Sequence, residues 1–543
     1  MYIRFTSSKK SKNPTLQIVE GIRIGKKVKQ KIIASLGVVK DEKDKRKLAN
    51  LAENFIQKLQ DRNFPLEKKI SLSKLFHQKT IYDGFGQIVD QLMQLTGFGK
   101  IIKTVHAKQS FNVEEIVKLI IVQRLDLPSS KLRTCERQEE HGFYNIELQH
   151  IYRTMDAIET LKTDIQKQAY DSVCAYSPAP VDCLFFDVTT LYFESVHQDK
   201  IRDFGFSKDQ KHNLVQIVLA LIVDHQGIPL AYETFKGNVS ETKTLIPVLV
   251  SLKERFLIEN VIVVCDRGLA SKTNVLALQK AHFNFVIATK LRSISKKEKL
   301  NDLSKYVLLP GQEKVPREEK VLYFTTSHPQ YENTTLIITY SPLRAKKDKE
   351  ERERLLEKLK DKLSGQNKKN IKKMISNNGY KKFTTVQEGS SVTLNEKAIE
   401  EDIAWDGFHG IAVSNTAHLT PTVVLSRYHD LWHVEEAFRV TKSSLRTRPI
   451  FHWMPHRIEA HVLLCFMTLF FERFLELLLR SNNTPLTPDR IRYALQGVHT
   501  AYFEEQGTNS LGQMPSSLTV DAQTIFKTLG ISLDRSVKTS CCV

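Results

Sequence analysis

Val181–Glu194 reads VDCLFFDVTTLYFE. Leu184, Phe185 and Phe186 begin an apolar run that continues through Val188, Thr189, Thr190, Leu191 and Tyr192, residue types that suit strands. One carboxylate, Asp187, stands in its middle. An acidic side chain is costly to bury unless a cation meets it. A divalent metal is the usual answer, because hard cations prefer carboxylate oxygens. The plainer alternative is a strand-end aspartate that faces solvent or caps a turn. What the rest of the chain offers beside it decides between the two.

Working outward, Leu214–Val223 and Pro229–Phe235 flank the turn Asp224–Ile228 and predict an antiparallel hairpin. Glu241–Phe256 predicts a helix with Ser240 as its N-cap. Asn260–Cys265 predicts an apolar strand that ends at Asp266-Arg267-Gly268, Ser271–Ala281 a helix, and Phe283–Thr289 a further strand. The order β-β-β-α-β-α-β places a three-strand meander before parallel additions, a mixed α/β sheet with helices on its faces. That order matches the ribonuclease H-like fold, with the core expected at 179–290 and 406–480. Fold alone assigns no function.

Residues 1–37 alternate apolar and polar around Gly21 and Gly25 and predict a basic β-hairpin region. Residues 38–178 are expected to be a helical, DNA-binding domain. Its first helix would bury Leu48, Leu51, Phe55, Ile56 and Leu59. Lys131–Glu140 and Leu148–Leu161, separated by Gly142, have helix-turn-helix spacing, which is common in any helical domain. Tyr82–Gly86 has too few glycines and no preceding strand for a phosphate loop. Residues 291–405 predict a β-rich, charged insertion: strands at Val321–Thr326 and Thr335–Tyr340, a solvated helix at Ala345–Leu363, then a lysine run at 368, 369, 372, 373, 381 and 382. The last core strand is expected at Gly407–Ser414, and a long helix from near Ser426. Residues 481–543 are expected to form a helical tail starting at Thr487-Pro488-Asp489.

The chain has 543 residues, room for two to four domains, and a formal net charge of +19 with pI near 9.4. Such a balance points to a polyanionic partner, nucleic acid before an acidic membrane. Seven cysteines without CxxC spacing argue against a zinc site or a disulfide framework. Cys183 and Cys265 lie in strand-like runs as reduced core residues, which suits the cytosol. The N-terminus lacks the apolar segment of a signal peptide. The most apolar helix, Val462–Leu479, is interrupted by Glu472, Arg473 and Glu476 and is too short to span a bilayer. No GxSxG elbow, Walker loop or dinucleotide fingerprint occurs. Histidines 452, 456 and 461 are too loosely spaced for a metal site and read as structural.

Asp266 follows a buried strand, where open sheets gather ligands. In the helix from Ser426, RYHDLWHVEEAFRVTKSSLR, Tyr428, Glu435 and Lys442 recur every seven residues and would share one face; Glu436 points about 100° away. Asp187 on the first strand, Asp266 after the fourth and Glu435 on a late helix together resemble the DDE transposases of bacterial insertion sequences. Within them the chain is similar to the insertion-sequence-four-like group with the signature Y-x2-R-x3-E-x6-K, here Tyr428, Leu431, Glu435 and Lys442. Trp432, Glu436 and Arg439 also fit hairpin-forming relatives. Leu431 stands where the signature has arginine, and His429, His433 and Arg439 are the candidates to replace its phosphate contact. FDVTT at Asp187, GNVSET at Gly237–Thr242, CDRG at Asp266 and Arg448-Pro449-Ile450 with His452 extend the resemblance to roughly residues 1–480.

The resemblance implies a DNA transposase that binds the terminal inverted repeats of its element, cleaves by two-metal chemistry and joins 3′ ends to target DNA. Asp187, Asp266 and Glu435 would hold two Mg²⁺ ions about 3.5–4 Å apart, with Mn²⁺ able to substitute. Arg439, Lys442 and Arg267 would meet phosphates. Tyr428 and Trp432 would contact DNA, Trp432 being equally suited to core packing. Relatives imply a homodimer on paired ends in the cytoplasm, associated with the nucleoid. Two other readings stay open: a ribonuclease H-like nuclease without strand transfer, and a DNA-binding protein whose catalytic site has decayed.

Overall fold

The computed structural model describes residues 1–7, 13–24, 27–39, 41–42, 45–46, 48–49, 51–53, 56, 75–106, 109–207, 211–256, 261–294, 300–364, 378–386, 392–505, 510–532, 534–536 and 538–541. Phe55, Leu59 and lysines 368, 369, 372 and 373 lie outside them.

The expected core strands form, with ends within one or two residues of those expected. They are β5 (Cys183–Tyr192), β6 (Gln216–Asp224), β7 (Pro229–Lys236), β8 (Ile262–Cys265) and β9 (Asn284–Thr289). β5 pairs antiparallel with β6, and β6 with β7, while β8 runs parallel to both β5 and β9. β6 is buried at every position, as a central strand covered on both faces must be. The helices that return the chain are α7 (Leu245–Phe256) and α8 (Lys272–Lys280). Ser271 caps α8 by accepting from the Asn274 amide, whereas Ser240 makes no side-chain cap and a short 3₁₀ turn, Glu241–Lys243, precedes α7.

Strands of the 291–405 segment do not stand apart. β10 (Val307–Leu308), β11 (Leu322–Ser327) and β12 (Thr334–Tyr340) join β15 (Phe408–Ser414), which pairs with β9, in one nine-stranded mixed sheet. β13 (Thr384–Val386) and β14 (Val392–Leu394) make a separate ribbon, and the charged helix runs Pro342–Ser364. At the β11–β12 turn, His328 is 5% exposed and stacks on Tyr331 at 4.3 Å. Burial lowers its pKa from 6.5 to about 4. In that window the unfolded chain carries the extra proton, so this contribution to stability is present above pH 6.5 and lost as pH falls towards 4, by up to about 3 kcal/mol. His328→Gln should flatten the fall in urea midpoint between pH 7 and 4.

The N-terminal strands β1 (Tyr2–Thr6), β2 (Thr15–Ile24) and β3 (Lys27–Val38) lie antiparallel as expected. Their sheet continues through β4 (Leu75–Ile81), β16 (Thr500–Glu505), β17 (Ser510–Pro515) and β18 (Lys538–Cys541). Two expectations are corrected here. Region 38–178 contains a strand, and the tail beyond 481 is not simply helical: helices Pro488–Gln496 and Val520–Thr528 alternate with three strands. Ala501 and Phe503 alternate inward into the core beneath Leu16, Ile18 and Leu36, the period of two that a half-buried strand requires.

Beyond the helical residues near Leu48 and Leu51, the described residues of the second region include the helices α1 (Gly84–Leu95), α2 (Phe98–His106), α3 (Val113–Asp126), α4 (Lys131–Glu136), α5 (Leu148–Ile158) and α6 (Lys162–Tyr176). They surround the helix Pro455–Ser481, buried almost continuously from Ala460 to Leu479, and share one apolar core with the large sheet. Among the described residues no helix is long and apolar enough to cross a membrane.

Candidate active site

The register that places Phe186 beside Cys265, the last residue of β8, brings Asp187 of β5 next to the end of β8, where Asp266 follows. Asp187 is half-buried and shares the face of Phe185, two residues before it. Burial pushes the Cys265 thiol up, and the charges of Asp187 and Asp266 push the same way. At Gly268, in the turn after β8, a Cβ would stand 3.9 Å from Glu241 Oε2 and 4.0 Å from Asp266 Oδ2, ordinary contact distances. Glu241, from GNVSET, therefore flanks the same turn as Asp266.

The segment expected as one long helix is three pieces. Helix α9 (Pro421–His429) stops at Asp430, helix α10 (Trp432–Arg439) follows, and a π-turn spans Val440–Ser444. The kink has a packing cause: Leu431 is 6% exposed within the main core, and the chain tightens there through a Leu431 amide bond to the Tyr428 carbonyl at 3.2 Å. A uniform seven-residue stack of Tyr428, Glu435 and Lys442 therefore does not occur. Tyr428 belongs to α9, Glu435 to α10 and Lys442 to the π-turn, a backbone form frequent at functional sites.

Helix α9 packs against β8 and β9, and α10 against β5 and β6. The Tyr428 hydroxyl donates to Asp266 Oδ1 at 3.3 Å. Burial, then that carboxylate, holds the phenol well above its ordinary pKa. His409, on β15, lies against the Tyr428 ring at 5.1 Å, and burial, with Arg344 and Arg267 nearby, lowers it to about 4. On α10 the His433 ring stands 6.4 Å from that of Phe185, on the strand face that carries Asp187. Val434, Ala437 and Phe438 are buried and Glu435 is exposed.

Among the described residues no three carboxylates, imidazoles or thiols form a ready-made metal cage. The donor chemistry nevertheless suits a hard divalent ion: one aspartate on β5, a second just past the end of the neighbouring β8, and a glutamate on the helix packed over β5.

Core packing for Trp432 is overturned, since it is 45% exposed. Arg439 is exposed and 3.8 Å from Glu436; Glu436 also pairs with the buried Arg473 at 3.2 Å. His433, turned toward Phe185 and Gly227, is ill placed to replace the signature arginine, whereas the His429 side chain is 82% exposed. His456 lies 3.0 Å from Asp156, and His461 3.0 Å from the Thr447 carbonyl. His409 and Glu241 were not singled out from sequence. GNVSET offered a signal for Glu241; His409 had none, because it reaches Tyr428 only through sheet pairing.

Residues 180–471 match the family model for the transposase DDE domain, and residues 3–67 match that for the N-terminal domain of IS1634 family transposases. Curated proteins give no match. Among solved structures, the chain is similar to piggyBac transposase in a synaptic complex with hairpin DNA, at 9% identity over 77% of this chain and 80% of that one, TM-score 0.37. It is also similar to Mos1 transposase in a paired-end complex with the left transposon end, at 12% identity over 33% of this chain and 59% of that one, TM-score 0.15.

Proposed function

Since the chain belongs to the family of transposases with a DDE domain and is a DNA transposase, we propose that Asp187, Asp266 and Glu435 are its catalytic carboxylates. The observation that carries this reading is the juxtaposition of Asp187 on β5 with Asp266 just past the end of the neighbouring β8, with Tyr428 reaching Asp266 from the segment that leads into Glu435. The strand order β7-β6-β5-β8-β9, antiparallel then parallel, supports a ribonuclease H-like core. Tyr428, Glu435 and Lys442 support the insertion-sequence-four-like assignment.

Asp187, Asp266 and Glu435 would hold two Mg²⁺ ions, or Mn²⁺. When bound, the ions supply an activated water or 3′-hydroxyl and stabilise the oxygen leaving phosphorus in an in-line displacement. Tyr428 orients Asp266 through its hydroxyl. Arg439, Lys442 and Arg267 meet phosphates beside the scissile bond, and Trp432 contacts DNA from its exposed position. The protein binds the terminal inverted repeats of its element as a homodimer, cuts, and joins 3′ ends to target DNA.

The test is Mg²⁺-dependent cleavage of DNA carrying the sequence that flanks the gene, wild type beside Glu435→Ala. Cutting at a defined end by wild type alone is expected. Binding without cutting by either would instead favour the decayed DNA-binding protein. Tyr428→Phe should slow cleavage by about tenfold, the size of one hydrogen bond to a charged group, with DNA affinity unchanged. An unaltered rate would remove Tyr428 from the site.

A further inference from the structure

Beyond the carboxylates, a cavity of about 380 Å³ opens between the end of α3 and the loop that follows the π-turn. Arg124, Lys131, Arg446, Arg448, His452 and His461 line it, and no carboxylate is among its described lining residues. Arg124, Lys131 and His461 are 4%, 5% and 7% exposed. Arg124 donates through Nη1 to the Leu445 carbonyl, yet its buried Nε has no hydrogen-bond partner, and neither has Thr447 Oγ1 nor His461 Nδ1. Buried cations without an anion are strongly unfavourable. Burial, with Arg124 adding, lowers the Lys131 amine to about 7, and burial lowers His452 to about 3. A fold that buries Arg124 and Lys131 against a cavity with no carboxylate among its described lining residues is shaped for an anion from outside.

The cavity's position indicates which anion. Ile450 bridges to Phe193 immediately beyond β5, and the Arg448 guanidinium lies 5.5 Å from the Tyr192 ring. Tyr192 is five residues past Asp187 on the same strand, about 17 Å at the usual strand rise. Phe451, on the cavity's lining, and Trp453 next to it are each 67% exposed. Cations tracking a backbone, with aromatic faces beside them, make the usual surface for a nucleic-acid strand.

We propose that this cavity is a phosphate site, in which Lys131, Arg124 and Arg448 hold a backbone phosphate of the DNA strand that passes the catalytic carboxylates. The inference rests on the transposase reading and does not depend on the metal chemistry. Phosphate is the shared chemistry; a DNA strand and free inorganic phosphate are its two possible sources.

The experiment measures affinity of the full chain for a short labelled single-stranded oligonucleotide in EDTA, so that failure of the carboxylates as metal ligands leaves it unaffected. Lys131→Met is expected to weaken binding about tenfold and to lower the salt slope of log K by about one. Arg448→Gln, on the half-buried rim, should act in the same direction and serves if Lys131→Met fails to fold. Inorganic phosphate, against chloride at equal ionic strength, should raise the wild-type melting temperature and leave that of Lys131→Met unmoved. Unchanged DNA affinity and salt slope in both variants would overturn the proposal. If the phosphate effect on melting persisted in that case, the cavity would belong to free phosphate.

Discussion

Asp187→Ala should abolish strand cleavage, by about a thousandfold or more, while the protein still binds DNA. A metal ion at a transferring phosphoryl group stabilises its developing charge by several kcal/mol, and each 1.4 kcal/mol is about tenfold in rate. Loss of binding is not expected, because the side chain sits in a strand among buried neighbours rather than on a basic surface. Asp187→Asn keeps the shape and should be nearly as inactive. The measurement is single-turnover cleavage of flanking DNA beside a mobility-shift titration. A variant that cleaves within tenfold of wild type would remove Asp187 from the chemistry.

Arg473→Ala should destabilise the protein by about 3–5 kcal/mol, the range for breaking a buried ion pair. The guanidinium is 6% exposed and lies 3.2 Å from Glu436 on α10 and 3.1 Å from Glu476 on its own helix. It therefore fastens the helix bearing Glu435 to the longest buried helix of the fold. Burial pushes Glu476 up to about 6 even with the arginine present. Because that value lies above the ordinary 4.5, the unfavourable buried charge is absent while the carboxyl is protonated at low pH and develops as pH rises past 6. Removing Arg473 should cost most near pH 8 and less near pH 5. Melting curves at the two pH values would read this directly, and equal losses would contradict it. Arg473→Met should cost no less, since the charge left behind is the same.

The core strands were legible because each is a short apolar run ended by turn residues. Asp187 and Asp266 stood out because a carboxylate inside or just after such a run conflicts with its surroundings. What escaped were consequences of distant packing. The tail strands Thr500–Glu505 and Ser510–Pro515 read weakly, since the first pairs with β4 at the other end of the chain and the second pairs with the first. Strict heptad geometry mistook the signature segment for a straight helix, because the burial of Leu431 and the π-turn at Val440 depend on neighbours that periodicity does not contain. Arg124, Lys131 and His461 are scattered over more than 300 residues and meet only in the folded chain.

The joining of β4 to β16 also sets a timetable. A ribosome delivers roughly 5–20 residues per second, and Thr500 comes more than 400 residues after Leu75. For tens of seconds, then, β4 waits with one edge unpaired, and exposed strand edges invite association with other chains. Assembly of the N-terminal sheet is thus among the last events in the birth of this protein, and a transcript cut short before residue 500 would yield a chain with Asp187, Asp266 and Glu435 made but its first sheet unfinished.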